Sequence, residues 1–273
     1  MKIINDLASL AQLQRERAHP LALVPTMGNL HRGHMSLVRE AQRQAAQVAV
    51  SIYVNPTQFG ANEDFGSYPR TLDADQRLLE EAGVDYLFLP DQPLIYPQGL
   101  EQMFSFRLPR QFTDILCGAR RPGHFDGVIN VVARLFNLIR PELAFFGLKD
   151  YQQQWLIRRF VADLHWPVQI HGVALVRDGD GLALSSRNGY LSDRERALAP
   201  EIYQSLCRTH QALLNGRNII AAEIDELKSL GFTVEYYELR SQQTLELTED
   251  LNDARLFIAV RLGQTRLIDN LAV

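Results

Sequence analysis

The chain has 273 residues, 46% of them hydrophobic and 22% charged, with a net charge of −4. This composition is typical of a soluble globular protein, and the acidic balance argues against nucleic acid as a partner. Only two cysteines occur, Cys117 and Cys207, which argues against a disulfide framework or a zinc ribbon and fits a reducing cytoplasm. We expect no signal peptide and no membrane-spanning helix, because no apolar run approaches the roughly 20 residues that a span needs.

The first part of the chain alternates short apolar runs with helical patterns. "MKIINDLASLAQLQRER" predicts a short strand and a helix, and "LALVP" (21–25) predicts a second, buried strand. The next segment, "RGHMSLVREAQRQAA", predicts a helix with Met35, Val38, Ala41 and Ala45 on its apolar face. "QVAVSIYV" (47–54) predicts the strand that follows this helix.

The same alternation continues to about residue 173. Thr71 is expected to cap a helix over "LDADQRLLEEAG", with Asp73 and Asp75 in its first turn. A strand (84–90), a helix (125–141), a strand (143–147) and a helix (150–164) follow. Short connections between strands and helices predict parallel strands with right-handed crossovers, that is, a doubly wound, Rossmann-like α/β sheet. Because such sheets bind ligands at the carboxyl ends of their strands, we expect "PTMGNLH", "VNPTQF" and "FGLKD" to meet in one crevice.

The pattern changes after "VQIHGVALV" (168–176). A polar, glycine-rich stretch, "RDGDGLALSSRNGYLS", is followed by two helical patterns (193–214 and 217–230). Two strand-like runs, "TVEYYELR" and "RLFIAVRL", come next, and "GQT" turns into "RLIDN". We therefore predict a Rossmann-like domain over residues 1–173 and a smaller α+β domain over residues 174–273.

The tetrapeptide "HRGH" follows a predicted strand directly and opens a helix, although the chain contains neither a P-loop nor a dinucleotide fingerprint. A helix N-terminus offers free N–H groups and the positive end of the helix dipole. Gly28 and Gly33 allow a ligand to approach the backbone. His31 and His34 can donate hydrogen bonds to phosphate oxygens whether charged or neutral. The motif therefore predicts a phosphate site, while a metal site completed by His124 and a purely structural loop stay open as alternatives.

Two further polar segments favour the phosphate. "LSSRN" (184–188) supplies two serine hydroxyls and Arg187, whose fork suits a β- or γ-phosphate. "GLKD" (147–150) supplies Lys149 as a point charge and Asp150 as an acceptor for ribose hydroxyls. Taken singly, the first segment could be an ordinary turn and the second a solvated pair at a helix start. All three motifs at strand ends or at the domain junction indicate a nucleotide site.

In combination, these motifs resemble one family along the whole chain. "VPTMGNLHRGHMSLV", "SIYVNPTQF", "YPRTL", "RPGHFDGV", "FGLKDYQQ", "GLALSSRNGYLS" and the closing "RLIDN" are similar to the pantothenate synthetases (pantoate–β-alanine ligases). "HRGH" resembles the HIGH-type signature, and "LSSRN" stands where related nucleotidyltransferases and class I aminoacyl-tRNA synthetases carry a KMSKS-type loop.

The resemblance implies a two-step ligation. The carboxylate of pantoate attacks the α-phosphate of Mg-ATP to give pantoyl adenylate and pyrophosphate, and the amine of β-alanine then displaces AMP to give pantothenate. ATP as a substrate, Mg²⁺, a cytoplasmic homodimer, and no nucleic-acid or membrane partner are all implied. No protein nucleophile is required, because the substrates supply both nucleophiles, so the protein positions them and stabilises charge.

The resemblance also assigns residues to roles. The catalytic residues would be His34 (the family's proton donor), His31, Lys149 and Arg187. The ATP site would comprise Met27, Gly28, Asn29, Leu30, His31, Arg32, Gly33, His34, Gly147, Leu148, Lys149, Asp150, Val176, Leu184, Ser185, Ser186 and Arg187. The substrate site would comprise Gln58 (pantoate and β-alanine), Gln153 (pantoate), Asn55, Tyr68, Arg121 and His124.

Three points qualify this assignment. Gln58 and Gln153 suit a hydroxy acid because a neutral amide both donates and accepts hydrogen bonds. Asp73 and Asp75 could place Mg²⁺, but acids of a first helical turn explain them equally well, so no protein ligand to a metal is assigned. Leu148 departs from the family, which often has a polar residue there, so a side-chain contact to ATP would be lost unless this position acts through its backbone.

Three other functions stay open from the sequence. An adenylyltransferase that passes AMP to a phosphate ester would share the H-x-G-H motif, but "VNPTQF" and "DYQQ" offer amides and no basic pocket for a second phosphate. An enzyme that charges RNA is disfavoured by the acidic balance. A non-catalytic nucleotide-binding or scaffold protein would show no turnover with any acid and amine.

Overall fold

The computed structural model describes residues 1–61 and 63–273. Within them, the first six strands form one parallel sheet in the order β1-β4-β3-β2-β5-β6. The strands are β1 (Lys2–Ile4), β2 (Leu21–Thr26), β3 (Gln47–Ile52), β4 (Tyr86–Phe88), β5 (Leu143–Gly147) and β6 (Gln169–Val173). The strand order reverses between β2 and β5, where a doubly wound sheet opens its ligand crevice. The predicted doubly wound sheet is confirmed.

Helices cover both faces of this sheet. They are α1 (Leu7–Glu16), α2 (Arg32–Gln44), α3 (Leu72–Glu81), α4 (Gln92–Ile95), α5 (Arg110–Thr113), α6 (Leu116–Arg120), α7 (His124–Ile139) and α8 (Tyr151–Asp163). Because side chains alternate across a strand, Leu21 and Leu23 of β2 pack with α1, α7 and α8, whereas Ala22 and Val24 pack with α2. The sheet is therefore buried on both sides, as the continuous apolar runs predict.

Two local expectations hold only in part. Thr71 lies at the N-cap of α3, but its side chain accepts no helix N–H; its hydroxyl instead donates to Asp75 Oδ2 at 3.2 Å. The helical pattern over residues 193–214 is two helices, α9 (Asp193–Leu198) and α10 (Glu201–Leu214). The break falls at Pro200, which has no backbone N–H to donate and so starts a new helix more readily than it continues one.

The C-terminal part of the chain forms a second sheet. The helix α11 (Ile220–Ser229) precedes three antiparallel strands, β7 (Thr233–Ser241), β8 (Ala254–Leu262) and β9 (Thr265–Ala272), in that spatial order. This sheet packs on α10 and α11 around its own apolar core. A further cluster joins Trp155 and Leu156 of α8 to Phe257 and Ala259 of β8, so the two sheets share a packed boundary.

Three short 3₁₀ turns place polar residues next to the crevice. They span Pro56–Gln58, Leu148–Asp150 and Ser186–Tyr190. The first follows the end of β3, the second follows β5, and the third lies in the polar segment between the two sheets. Within residues 1–61 and 63–273, no helix is long and apolar enough to cross a membrane.

Candidate active site

A cavity of about 240 Å³ opens at the carboxyl edge of the parallel sheet, beside β2 and β5. Its wall brings together the three strand-end motifs and the polar loop at residues 184–188, which are far apart in sequence. Of the residues predicted for the site, the wall contains Met27, His31, Gly33, His34, Gln58, Tyr68, Arg121, His124, Gly147, Lys149, Asp150, Gln153, Val176, Leu184, Ser185, Ser186 and Arg187. The expectation that these motifs meet in one crevice is therefore confirmed.

His31 and His34 share one arrangement at the start of α2. The ring Nδ1 of His31 accepts the backbone N–H of Gly33 at 3.1 Å, and Nδ1 of His34 accepts the backbone N–H of His31 at 3.3 Å. The two ring centroids are 4.1 Å apart. Because Nδ1 is the acceptor in both rings, each neutral ring carries its proton on Nε2. Within residues 1–61 and 63–273, neither Nε2–H has an acceptor, so both can donate to a ligand.

Burial and neighbouring positive charge keep both rings neutral. Burial, followed by the neighbouring His31, lowers the pKa of His34 to about 3. Burial and then the Lys149 ammonium lower the pKa of His31 as well. Of the two protonation states considered from the sequence, the geometry therefore selects the neutral one at physiological pH. In this state the histidines donate hydrogen bonds rather than carry positive charge.

Residues 27–31, here called the β2 loop, are held by Asp75 of α3. The two carboxylate oxygens of Asp75 accept the backbone N–H of Asn29 at 2.9 Å and of Leu30 at 2.8 Å. Asp75 is buried, and Asn29 has a φ of 50°, a left-handed conformation that needs such support. The sequence left Asp75 between a metal role and a helix-capping role, whereas the structure uses it to fix this loop.

Gly33 is required by the packing of the same turn. A Cβ built at Gly33 would lie 2.9 Å from the His31 ring, closer than atoms normally approach. The glycine of "HRGH" therefore makes room for the first histidine, in addition to exposing backbone at the helix start.

On the other side of the cavity, Lys149 and Asp150 follow β5. The Lys149 ammonium lies 3.8 Å from the carboxylate of Asp150, whose side chain is about half exposed. Leu148 does not line the cavity; its side chain packs against Gly172 of β6, where an added Cβ would approach it to 2.7 Å. The unusual leucine is therefore accommodated by a neighbouring glycine, and its backbone remains part of the turn.

The loop at residues 184–188, here called the serine–arginine loop, closes the cavity from the C-terminal side. Ser186 Oγ donates to the carbonyl of Asn29 at 3.4 Å, which joins this loop to the β2 loop. The Arg187 guanidinium holds both carboxylate oxygens of Asp64, with Nε at 3.1 Å and Nη2 at 2.8 Å. The sequence assigns Arg187 to phosphates, but no local pattern indicates that an aspartate would occupy its fork.

Gln58 lies at the base of the cavity, supported by Asn55. Its Nε2 lies 2.8 Å from the Met27 sulfur, and its Oε1 accepts from Asn55 Nδ2 at 3.3 Å. Asn55 is fully buried: its Nδ2 also donates to the carbonyl of Gly127, and its Oδ1 accepts from Tyr96. Asn55 thus lies behind Gln58 and not in the cavity wall. The predicted substrate-site residue therefore supports Gln58 and does not line the cavity.

Gly127 allows the helix α7 to approach this support. A Cβ at Gly127 would lie 2.2 Å from the carbonyl oxygen of Thr57. Only glycine therefore permits the close packing of α7 against the Pro56–Gln58 turn.

The glutamines at the start of α8 divide into two roles. Gln153 lines the cavity. Gln152, by contrast, is buried, donates to the carbonyls of Phe112 and Ile115, and accepts from the backbone N–H of Cys117. Helical geometry therefore directs one of two adjacent, identical side chains into the cavity and uses the other to hold the α5–α6 segment.

Arg121 and His124 form a buried cluster at the far side of Gln58. His124 Nδ1 lies 2.7 Å from the carbonyl of Gln58, and Nε2 lies 2.8 Å from Arg121 Nη1. The carbonyl can only accept and the guanidinium can only donate, so His124 is neutral with its proton on Nδ1. Burial, followed by the Arg121 charge, lowers the pKa of His124 to about 3. Arg121 also holds the Glu63 carboxylate through Nε at 2.6 Å and Nη2 at 2.5 Å.

This cluster removes the metal alternative for the histidines. His31 and His34 use Nδ1 within the turn, and His124 uses both ring nitrogens on protein groups. Across residues 1–61 and 63–273, no group of three or more His, Cys, Asp or Glu side chains is placed to hold a metal ion.

The inner end of the cavity is apolar, a feature that the sequence patterns did not predict. One face of α7 supplies most of it, together with a phenylalanine from β5 and a tyrosine after β3. These residues are Val128, Val131, Val132, Leu135, Phe146 and Tyr53. The signal is present in "FDGVINVVARLF", but a buried helix facing the core has the same pattern as one facing a ligand.

Five residues predicted for the ATP site lie outside the cavity wall. Gly28, Asn29 and Leu30 lie behind the histidines and form the β2 loop, and Leu148 faces β6. Arg32 is exposed and pairs with Asp178 at 2.6 Å. The backbone of the first three shapes the wall, whereas the Arg32 side chain points toward the segment that leads into the serine–arginine loop.

Comparison with known proteins places the chain in one family. The family model described as pantoate-beta-alanine ligase matches residues 1–272. The pantothenate synthetase of Chromohalobacter salexigens is 52% identical, with 99% of this chain and 96% of the relative covered. Among solved structures, pantothenate synthetase from Thermus thermophilus superposes with a TM-score of 0.92 at 43% identity, covering 100% of this chain and 99% of that one.

A second solved structure is the pantoate-beta-alanine ligase of Francisella tularensis complexed with beta-gamma ATP and beta-alanine. It superposes with a TM-score of 0.85 at 32% identity, covering 100% of this chain and 97% of that one. The family match spans nearly the whole chain, and the fold, the strand-end motifs and the cavity agree with the resemblance seen in the sequence. The chain is therefore an enzyme that belongs to the pantoate–β-alanine ligase family.

Proposed function

We propose that the chain joins (R)-pantoate to β-alanine at the expense of ATP and forms pantothenate, AMP and pyrophosphate through a pantoyl-adenylate intermediate. The observation that carries the proposal is the composition of one cavity. One wall carries the neutral imidazole donors, the Lys149 ammonium, the amides of Gln58 and Gln153, and an apolar face of α7. The relative from Francisella tularensis, whose structure includes an ATP species and β-alanine, supports the same pair of ligands.

The nucleotide would lie between β2 and β5, with its phosphates over the start of α2. His31 and His34 direct Nε2–H donors at the α-phosphate, and the Lys149 ammonium adds positive charge from the opposite side. The backbone of Val176 would contact the adenine, and Asp150 would accept from the ribose hydroxyls. Ser185, Ser186 and Arg187 would contact the β- and γ-phosphates.

In the first step, a carboxylate oxygen of pantoate attacks the α-phosphorus, and the bond from that phosphorus to the oxygen bridging to the β-phosphate breaks. Pyrophosphate leaves with the electron pair. Charge grows on the α-phosphate oxygens and on the leaving group, where the two imidazole donors and Lys149 stabilise it. Gln58 and Gln153 hold the hydroxyl and carboxylate groups of the acid without neutralising its nucleophile.

The apolar inner wall supplies the selectivity for the acid. Val131, Val132 and Phe146 offer a surface that fits the two methyl groups of pantoate and gives little to a polar acid of the same length. Burial of these methyl groups fixes the carboxylate next to Gln58, so binding energy is used for orientation.

In the second step, the β-alanine nitrogen attacks the acyl carbon of the adenylate. The bond from this carbon to the phosphate oxygen breaks, AMP leaves, and the nitrogen releases a proton. Tyr68, Arg121 and His124 border this end of the cavity, and Arg121 supplies the positive charge that a β-alanine carboxylate requires. Neutral His124 holds Arg121 and the Gln58 carbonyl in one arrangement.

Both arginines would exchange partners when anionic substrates bind. In the structure, Arg187 holds Asp64 and Arg121 holds Glu63, in each case through two hydrogen bonds. A phosphate or carboxylate offers the same paired oxygens. We therefore place Glu63 and Asp64 as the groups that the substrates displace.

Magnesium fits this site as part of the nucleotide complex. Asp150 is the carboxylate of the cavity wall, whereas Asp75 uses both oxygens on backbone N–H groups. Mg²⁺ commonly retains several waters and binds substrate phosphates with only one or two carboxylates. Asp150 would be the protein group nearest to it, and the ion would supply positive charge to the triphosphate.

The remaining features of the proposal rest on the resemblance. We propose that residues 1–173 form the domain that binds ATP and pantoate, that residues 174–273 form a smaller lid domain, and that the enzyme is a cytoplasmic homodimer. Light scattering during size-exclusion chromatography tests the dimer, and limited proteolysis followed by mass spectrometry tests the boundary near residue 174.

The reaction is tested by measuring AMP, pyrophosphate and pantothenate with each substrate omitted in turn. With ATP, Mg²⁺ and pantoate but no β-alanine, we expect slow release of about one equivalent of pyrophosphate, as an adenylate intermediate requires. Full turnover is expected only with all components present. Product formation that is independent of pantoate would overturn the proposal. In a separate assay, an acid that matches pantoate but lacks the two methyl groups should be a poor substrate.

A further inference from the structure

Two adjacent polar residues near the end of β9, Asp269 and Asn270, are only 4% and 5% exposed. Neither lines the cavity described above, although both lie where the C-terminal sheet meets the turn that carries Lys149. They belong to the closing "RLIDN" segment, which the proposed reaction has not used. Because successive side chains of a strand point to opposite faces of the sheet, Asp269 and Asn270 of β9 can reach different segments.

Asn270 fixes the turn that carries Lys149. Its Nδ2 donates to the carbonyl of Leu148 at 2.9 Å and to the carbonyl of Lys149 at 3.0 Å. Its Oδ1 accepts from Arg255, which also contacts the Tyr151 ring, with 4.4 Å from the guanidinium to the ring centroid. The Arg255 contact fixes the orientation of the amide, so that the NH₂ group faces the two carbonyls.

Asp269 fixes the segment leading to the serine–arginine loop. Its carboxylate holds Arg177 through two hydrogen bonds of 2.5 and 2.9 Å, and Arg177 also donates to the carbonyl of Gly181. Arg177 pairs with Ala183 in an isolated β-bridge, and the next backbone bond joins Leu184 N to Val176 O at 3.0 Å. Asp269 therefore determines where Val176 and Leu184 enter the cavity wall.

We propose that Asp269 and Asn270 are positioning residues for the nucleotide. Together they hold Lys149 on one side of the phosphates and the serine–arginine loop on the other, so β9 sets the distance between the two. The proposal rests on the proposed function, because it takes the ligand at this end of the cavity to be ATP. Neither residue touches the reacting atoms in this assignment.

Asn270→Asp is the principal test. The change preserves the size and shape of the side chain but replaces the donating NH₂ group by an acceptor facing two carbonyls. We expect the KM for ATP to rise by between about tenfold and a hundredfold, because small displacements of a positioned group have effects of this size. The KM for β-alanine should stay within about twofold, since Tyr68, Arg121 and His124 are held by other contacts.

Thr265→Val is the matched control. Thr265 is also buried on β9, so this variant measures the general cost of altering a buried polar residue of the strand. It should leave the KM for ATP near that of the unchanged protein. Equal KM values for ATP in Asn270→Asp and the unchanged enzyme would overturn the proposal. So would a uniform change in the KM of all three substrates together with a large fall in the melting temperature.

Calorimetric titration with Mg-ATP alone separates this proposal from the proposed function. If the unchanged protein binds ATP but forms no pantothenate, the proposed function fails, while the positioning role is still read from ATP affinity. We expect Asn270→Asp to bind ATP between about tenfold and a hundredfold more weakly than Thr265→Val. Equal affinities in the two variants would overturn the positioning role whatever the reaction is.

Discussion

On the β2 side of the cavity, Asn29 and Leu30 donate their backbone N–H groups to a buried carboxylate, that of Asp75. In the serine–arginine loop, by contrast, the Arg187 guanidinium is held by Asp64, whose carboxylate is partly exposed. The first arrangement joins two backbone N–H groups to a buried carboxylate and uses both of its oxygens. The second is an ion pair in which the two oxygens of a phosphate can replace those of the carboxylate. We therefore expect the β2 loop with His31 and His34, here called the rigid side, to be formed before the nucleotide arrives. The Asp64–Arg187 pair, here called the exchangeable side, would exchange partners as the nucleotide binds.

A similar pair lies beside His124, where we propose that β-alanine binds. Arg121 holds Glu63; burial by itself would raise the pKa of Glu63, but the bonds and charge of Arg121, together with His124 and a backbone hydrogen bond at Gly60, lower it overall. Glu63 and Asp64 are neighbours in the chain, so one loop neutralises an arginine at each end of the cavity. The carboxylates thus hold both arginines in place without a substrate. When a substrate binds, its anionic groups would have to compete with Glu63 and Asp64 for the arginines.

Replacing His34 should have the largest effect on activity. His34→Gln removes an Nε2–H donor aimed at the α-phosphate while keeping a polar side chain at the position. We expect kcat to fall by about 10²–10³-fold, the usual loss when one donor to a developing charge is removed. Steady-state assays check this, with circular dichroism to show that the fold is retained.

His210→Gln on α10 serves as the control for His34→Gln, because it removes an imidazole from the other part of the chain. Its turnover should match that of the unchanged enzyme. Near-normal kcat in His34→Gln would show that the rigid side of the cavity does not stabilise the transition state. The difference between the two sides would then concern ligand binding and not catalysis.

Acid should destabilise the protein through its neutral histidines. The folded pKa of His124 is about 3 and its ordinary value is 6.5, so between these values the unfolded chain binds the proton that the folded protein excludes. The contribution of His124 to the free energy of unfolding is therefore fully present above pH 6.5. It decreases as the pH falls from 6.5 toward 3, by about 1.4 kcal/mol per pH unit. His34 contributes in the same direction.

Urea unfolding of the unchanged protein and of His124→Gln between about pH 7 and 4.5 measures this contribution. The variant should be less stable at neutral pH, because it loses the contact to the Gln58 carbonyl, yet its stability should fall less steeply with acid. Parallel curves for the two proteins would mean that His124 is not held neutral.

Removing the carboxylate of Asp75 should loosen the rigid side. Asp75→Asn keeps the shape, but its amide can accept through one oxygen only, so one of the N–H groups of Asn29 and Leu30 loses its partner. An unpaired buried group costs about 1–3 kcal/mol of folding free energy, and misplaced histidines should lower kcat/KM for ATP by about tenfold to a hundredfold. Thermal unfolding and steady-state kinetics measure the two effects.

Asp73→Asn is the matched control, since Asp73 lies in the same first turn of α3 but is exposed. It should change neither quantity appreciably. A loss of activity in Asp73→Asn equal to that in Asp75→Asn would point to the charge of the turn rather than to the bonds that hold the β2 loop.

The rigid side was largely predictable from the sequence, because its determinants are local. Alternating strands and helices fix a parallel sheet, and that topology alone places "HRGH" and "GLKD" at one edge. The glycine and histidines of "HRGH" are three residues apart or less, so their packing follows from the helix start. The apolar stripe of α2 follows from its 3.6-residue period and is confirmed for Met35, Val38 and Ala41, whereas Ala45 lies beyond the helix at its extended C-cap. Pro200 marks the break between α9 and α10. The prediction of one helical pattern over residues 193–214 followed the apolar period and gave this proline too little weight.

The contacts between distant residues were not predictable in the same way. Asp75 is more than forty residues from the loop it holds, and Asn270 is more than a hundred residues from Lys149. No local pattern specifies which buried acid or amide meets which backbone group. Asp64 and Arg187 are also more than a hundred residues apart in the sequence. Their pairing, and the proposed displacement of Asp64 by phosphate, can be read only from the folded chain.

The exchangeable side is tested by Asp64→Asn, the change with the smallest expected effect. The asparagine keeps one acceptor for Arg187 but removes the charge with which phosphate must compete. We expect the KM for ATP to fall by about threefold to tenfold, because a partly exposed ion pair contributes on the order of 1 kcal/mol. The kcat should change less, since the pair is already broken in the bound state. Glu16→Gln, which removes the exposed partner of Lys2 away from the cavity, should leave the KM for ATP unaltered. A higher KM in Asp64→Asn would mean that Asp64 orders Arg187 for the nucleotide instead of competing with it, and both sides of the cavity would then be preformed.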